Sequence, residues 1–159
     1  MRQISFPSKI VNLLAFMIIT LMTISVPTCF ADEPTFETLK KEAGSGMPYS
    51  QFLLGMAYVQ GKGTKQDFEQ AAQWLRKAAD QGNMEAKFNL GVMYALGEGM
   101  NQDYKAAFEW YLKAAEQGHV EAQYNVGIMY YEGQGIRQDY KEAAKWLSRT
   151  IISMREKKK

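Results

Sequence analysis

The chain has 159 residues, of which 47% are hydrophobic and 23% charged, enough for one domain or one short repeat array. Its 19 Lys and Arg residues against 17 Asp and Glu residues give a formal net charge of +2. Residues 1–31 hold two of these cations, Arg2 and Lys9, and no acid, so the remainder has 19 − 2 = 17 basic against 17 acidic residues. A balanced body argues against nucleic acid as a partner.

The first 31 residues have the pattern of a secretory leader. A basic start is followed by an uncharged apolar stretch over residues 10–30, with Cys29 and Ala31 at the small positions of a cleavage site. This predicts a signal peptide cut after Ala31 and a periplasmic or secreted protein. The alternative is an uncleaved membrane anchor, the only membrane contact expected. Cys29 is the only cysteine and would leave with the leader, so the mature protein would have no disulfide.

A repeat of 36 residues organises the rest of the chain. The columns with the same residue in three successive units are Gly55/Gly91/Gly127, Tyr58/Tyr94/Tyr130, Gly61/Gly97/Gly133, Gly63/Gly99/Gly135, Gln66/Gln102/Gln138, Asp67/Asp103/Asp139, Ala71/Ala107/Ala143 and Trp74/Trp110/Trp146. The units are residues 48–83, 84–119 and 120–154. A partial unit at 32–47 precedes them as a capping helix, and a basic tail at 155–159 follows.

Each unit has the apolar spacing of two helices. The aspartates of the repeated column precede each second helix as N-caps, and Gln70 and Glu142 complete two capping boxes. Pro48 suits the first position of the earliest first helix, and Gly61 and its equivalents suit the left-handed end of each first helix. The mid-helix glycines predict close approach of the partner helix at Ala71, Ala107 and Ala143.

Stacked helix pairs of this kind predict an all-α fold, an α/α superhelix or right-handed solenoid with a 36-residue period. The tryptophans lie on the apolar side of every second helix, which indicates contacts between units. The glycine pairs could suggest phosphate binding, but a phosphate loop follows a strand and has a third glycine or a Lys–Ser/Thr pair. Here each pair follows a helix, so the glycines are interpreted as hinges between helices.

The segments LGMAYVQGKGTKQDFEQAAQWLRKAADQG, LGVMYALGEGMNQDYKAAFEWYLKAAEQG and VGIMYYEGQGIRQDYKEAAKWL resemble the Sel-one-like repeat family, a relative of the tetratricopeptide repeat. The resemblance covers about residues 38–150, with Val126 in place of Leu54 and Leu90. It implies a scaffold that holds other proteins or peptides, of the secreted bacterial type. A cysteine-rich branch is linked to β-lactam hydrolysis, but this chain lacks that branch's paired cysteines.

No convergent catalytic set is found, so the chain is predicted not to be an enzyme and to need no metal or cofactor. His119, the only histidine, is interpreted as a turn or N-cap residue at the start of a first helix. The methionines are interpreted as packing residues rather than copper ligands, because their spacing is irregular. A β-lactamase-like envelope hydrolase remains an alternative function, although the motifs of such enzymes are missing.

A partner-binding surface is expected on the first helices, which line the concave side if the units stack as in tetratricopeptide arrays. Columns that differ between units carry specificity there. The predicted contact residues are Tyr49, Glu85, Phe88, Asn89, Val92, Glu121, Tyr124, Asn125, Ile128, Tyr131 and Glu132. The two asparagine amides could pair with the backbone of a bound peptide. The alternative for them is solvation or a hydrogen bond between units, and Phe88 and Tyr124 could equally be core residues.

The C-terminal end offers a second surface. Ile151, Ile152 and Met154 extend the last helix where a following unit would pack, and the end unit of a solenoid needs a polar outer face. These residues could bind a second copy of the chain, which would make the protein a self-associating structural module. The alternative is that they fold back as a cap.

Overall fold

The computed structural model describes residues 34–156, which form seven helices and no strand. The helices are α1 (Phe36–Gly44), α2 (Pro48–Gln60), α3 (Phe68–Asp80), α4 (Met84–Leu96), α5 (Tyr104–Glu116), α6 (Val120–Glu132) and α7 (Tyr140–Glu156). The predicted leader and residues 157–159 of the basic tail lie outside the described residues. Among residues 34–156, no helix is long and apolar enough to cross a membrane.

The helices pack mainly against their neighbours in the chain, α1 on α2, α2 on α3, and so on to α7. Each unit therefore contributes a pair, α2–α3, α4–α5 or α6–α7, and α1 covers the first pair. The buried side chains join successive units. Trp110 of α5, for example, lies in one cluster with Leu75 of α3 and Leu90 of α4, and Trp146 of α7 joins the cluster of α5 and α6. The predicted all-α repeat superhelix and the inter-unit role of the tryptophans are confirmed.

The mid-helix glycines permit close helix packing, but at a different position from the one predicted. A Cβ at Gly91 would lie 2.5 Å from Cδ1 of Tyr111, and one at Gly55 would lie 2.8 Å from Cγ of Leu75. These residues, and Leu147 opposite Gly127, come four positions after the predicted alanines. The nearest atoms therefore belong to the larger side chain one turn further along the partner helix, and not to the predicted Ala71, Ala107 and Ala143. Ala71 does approach as predicted, since its carbonyl oxygen would lie 3.3 Å from a Cβ at Gly55.

The glycine pairs form turns that pack on the preceding unit. The first glycine of each pair ends a first helix in the left-handed conformation, with φ of 68°, 75° and 71° in the three units, as predicted. A Cβ on the second glycine would overlap the backbone at the start of the preceding second helix, at Phe68 for Gly99 and at Tyr104 for Gly135. The interpretation as hinges is replaced by one of close backbone contact between units.

The identical glutamines and aspartates close these turns. Each glutamine amide donates to a carbonyl oxygen near the end of its first helix at 2.7 Å, Gln102 for example to Ala95. The predicted aspartate N-caps are confirmed, since Oδ1 of Asp67 accepts from the backbone N–H of Gln70 at 2.9 Å. The prediction of capping boxes is wrong. In such a box the backbone N–H of Asp67 would pair with the side chain of Gln70, but it donates instead to the carbonyl oxygen of Tyr58. The other predicted box fails in the same way, because Asp139 donates its N–H to Tyr130.

The end of α7 is only partly covered. Ile151, Ile152 and Met154 are exposed over 53%, 55% and 50% of their surfaces, so the structure does not bury them as a cap. Thr150 is buried, and Ser153 donates a hydrogen bond to Gln123 of α6. Self-association through the three apolar side chains stays a prediction.

Candidate binding site on the first helices

The predicted contact residues lie on α2, α4 and α6, and none of them is buried. Glu85, Phe88, Asn89 and Val92 follow the i, i+3, i+4, i+7 spacing and so share one face of α4. Glu121, Tyr124, Asn125 and Ile128 occupy the same positions of α6. Six of the eleven are exposed and five are half-buried. The exposed residues are Tyr49, Glu85, Glu121, Tyr124, Tyr131 and Glu132.

A cavity of about 330 Å³ lies between the beginnings of α4 and α6. It is lined by Met84, Glu85, Phe88, Asn89, His119 and Glu121. Four of these were predicted contact residues, and the structure brings them together across the boundary between two units. The predicted residues that lie outside this cavity are Tyr49, Val92, Tyr124, Asn125, Ile128, Tyr131 and Glu132.

His119 is the central side chain of the cavity and was not predicted as part of the site. It is the N-cap of α6, as expected, and its Nδ1 accepts from the backbone N–H of Ala122 at 3.2 Å. Its ring is 6% exposed, stacks on Phe88 with centroids 4.3 Å apart, and places Nε2 3.0 Å from Oε2 of Glu85. One signal in the sequence marks His119 as special: it is the only histidine of the chain, and the equivalent positions of the repeat hold Met47 and Asn83. The pairing with Glu85 depends on how the units stack.

The two glutamates make the cavity negatively charged. The side chain of Glu85 is 51% exposed and that of Glu121 is 68% exposed, and Oε2 of Glu121 lies 3.3 Å from Nδ1 of His119. Among residues 34–156, neither carboxylate forms an ion pair with a lysine or arginine. The two carboxylates therefore face the cavity without a lysine or arginine of the described chain to balance their charge.

The predicted asparagines both have internal hydrogen bonds. Nδ2 of Asn89 donates to the carbonyl oxygen of Glu85 at 2.8 Å, within α4. Asn125 of α6 forms a side-chain hydrogen bond with Tyr111 of α5, in the preceding unit. For Asn125, the alternative of a hydrogen bond between units therefore applies. Phe88 is both a core and a cavity residue, since its ring also packs on Tyr111 at 5.7 Å.

Burial raises the pKa of Tyr111 to about 12 from 10.0, and its hydrogen bond with Asn125 opposes this shift. Between these values the unfolded chain loses the phenol proton while the folded chain keeps it, so the free energy of unfolding falls as the pH rises. We expect Tyr111→Phe to remove about 1–2 kcal/mol of this alkaline loss near pH 11, midway between the two pKa values. Urea denaturation midpoints of the wild type and the variant, at neutral pH and near pH 11, measure this loss of stability.

Other groups that titrate at high pH are common to the wild type and the Tyr111→Phe variant, so the difference between the two alkaline losses isolates Tyr111. Tyr130 is one of them, because burial and the nearby Glu142 and Asp139 raise its pKa. Equal alkaline losses in the two proteins would contradict the assignment.

The described part of the chain, residues 34–156, contains no group of three or more His, Cys, Asp or Glu side chains arranged to hold a metal ion. Its buried side-chain nitrogen and oxygen atoms all have hydrogen-bond partners. The cavity itself is a partly polar recess with exposed acidic groups at the surface.

The Sel1 repeat model matches residues 48–83, 85–119 and 120–151. Among solved structures, a protective antigen of uropathogenic Escherichia coli strains with an SLR fold is 44% identical, with a TM-score of 0.73 over 75% of this chain. A Sel1 repeat protein from Oxalobacter formigenes is 34% identical, with a TM-score of 0.70 over 74% of this chain. The chain spans only 26% of the first protein and 48% of the second.

Cysteine-rich protein B of Helicobacter pylori is 18% identical and shares the fold, with a TM-score of 0.61 over 74% of this chain and 87% of its own. No curated protein matches the sequence. Sel1 repeat proteins are generally scaffolds for protein interactions. Because the repeat model matches more than half of its residues and the helix pairs follow the same boundaries, the chain belongs to the Sel1 repeat family.

Proposed function

We propose that the protein is a non-enzymatic scaffold that binds a protein or peptide partner on the first helices, around the cavity between α4 and α6. The observation that carries this proposal is the cavity itself, of about 330 Å³, at the boundary of two units. Recesses that combine apolar walls with a few polar groups are where proteins usually bind their ligands. The leader pattern of residues 1–31 supports a role in the bacterial envelope or outside the cell.

The neighbouring surface supports a partner larger than a small molecule. Tyr124 and Tyr131 lie on α6 and are exposed over 50% and 56% of their surfaces. Tyrosine is enriched at protein interfaces because its ring buries a large area and its hydroxyl remains able to form a hydrogen bond. The exposed rings extend from the cavity along the same helix, as a partner lying across several turns would require.

Photocrosslinking tests the position of the partner. The crosslinking amino acid p-benzoylphenylalanine replaces Tyr124 on α6 or, as the control, Glu109 on the exposed face of the second helix α5. We expect a discrete adduct from position 124 in envelope extracts, and none from position 109, since the partner contacts the first helices. Mass spectrometry identifies the adduct. An adduct from position 109 but not from position 124 would place the partner on the second helices and contradict the proposal.

A further inference from the structure

We propose that the cavity between α4 and α6 accepts a basic side chain, arginine or lysine, of the partner. This inference rests on the proposed function and adds the chemistry of the group that is recognised. It follows from three features of the cavity: its unbalanced negative charge, its apolar walls and its restriction to one boundary between units.

The charge of the cavity favours a cation. His119 cannot balance both glutamates, because its Nε2 faces Glu85 and its Nδ1 already accepts the N–H of Ala122. The carboxylate of Glu121 then lies 3.3 Å from a nitrogen that is itself an acceptor. A guanidinium or ammonium group in the cavity would supply the missing donors and at least one positive charge. Partial burial of the acids strengthens such a pair compared with one in open water.

The remaining lining suits the rest of a basic side chain. Met84 and Phe88 are half-buried apolar residues, and the methylene groups of arginine and lysine pack along such surfaces while the charged end stays polar. Asn89 uses its Nδ2 for the carbonyl of Glu85, which leaves Oδ1 without a hydrogen-bond partner among the described residues. This oxygen is a third acceptor in the cavity, beside the two carboxylates.

The arrangement is particular to the second and third units. At the boundary of the first and second units, the positions of Glu85 and His119 are occupied by Tyr49 and Asn83. Tyr49 packs its ring toward Phe52, with centroids 6.3 Å apart. Because a tyrosine stands at the position of Glu85, that boundary lacks the paired carboxylates. The first boundary forms without the acidic pair, so the pair is available for recognition at the second.

The test uses N-acetyl-arginine amide as the probe and the neutral isostere N-acetyl-citrulline amide as its control, each titrated into the ¹⁵N-labelled protein. We expect saturable millimolar binding of the arginine probe, with the largest amide shifts at Phe88, Asn89 and Ala122. The citrulline probe should give no saturable shift, because it lacks the charge. Added salt should weaken the binding of the arginine probe, since the glutamates are partly exposed.

Two variants matched in charge locate the site. Glu85→Gln/Glu121→Gln keeps the shapes of the side chains and should weaken arginine binding by roughly tenfold. Glu109→Gln/Glu116→Gln removes two exposed acids from α5 and should leave it unchanged. Equal shifts with citrulline, or equal weakening in both variants, would overturn the inference. A crosslink from position 124 that persists in that case would show that the proposed function stands while the basic-side-chain inference fails.

Discussion

Gly99→Ala is expected to lower the free energy of unfolding by about 2–5 kcal/mol. Gly99 has φ of +71°, where an L side chain is strained, and its added Cβ would overlap the carbonyl group of Phe68. The nitrogen of Glu69 would lie 2.9 Å from that Cβ. These atoms belong to the first turn of α3, so they can move only if the helix moves and the contact between the two units opens.

Gly118→Ala is the matched control for this substitution. Its φ is +97°, and an added Cβ would meet no atom within 4 Å. The backbone strain alone is expected to cost about 1–2 kcal/mol. Urea denaturation followed by circular dichroism gives both values. If the two variants lose the same stability, the contact between the glycine turn and the preceding unit contributes nothing.

The second large effect is expected from Leu90→Ala, which should cost about 2–5 kcal/mol. Leu90 is fully buried in α4 and packs in one cluster with Leu75 of α3 and Trp110 of α5. Truncation removes buried methyl groups and leaves a cavity where two units meet. Because three helices line this space, the surrounding side chains cannot close it without moving apart from their own partners.

Leu96→Ala makes the same chemical change six residues later in the same helix. Leu96 is the last residue of α4 and is 61% exposed, so its truncation should change the free energy of unfolding by less than about 0.5 kcal/mol. Thermal or urea denaturation measures both variants. A comparable loss at exposed position 96 would mean that the effect does not depend on burial, and it would contradict the packing argument, since alanine is itself a strong helix former.

The fold could be predicted from the sequence because its determinants are local or repeated. Asp67 caps α3 from the adjacent position, and Gly61 ends α2 by its own left-handed conformation. Because the same residues recur every 36 positions, every unit is built in the same way. The capping boxes failed because the backbone N–H of Asp67 has a different acceptor, the carbonyl of Tyr58, which the local pattern does not show.

The site could be predicted only in part, for a related reason. The helical spacing of Glu85, Phe88 and Asn89 placed them on one face, but the cavity also needs His119, the N-cap of α6, and Glu121 of the third unit. Which side chains meet across a boundary depends on the offset between stacked helices, and no periodicity within one unit gives that offset. Within one unit, the offset between the two paired helices likewise decided that Tyr111, and not Ala107, makes the nearest contact opposite Gly91.

The preference of each helix for its chain neighbours has a consequence for how the protein folds and opens. Contacts between residues that are near in sequence need little loop closure, so such a chain has a low contact order and folds fast. Its free energy of unfolding is the sum of the stabilities of the single units and of the contacts between neighbouring units. The outer units open before the inner ones. A partner seated between α4 and α6 would bind only while both units are folded. Occupancy would therefore make the second and third units unfold as one cooperative body.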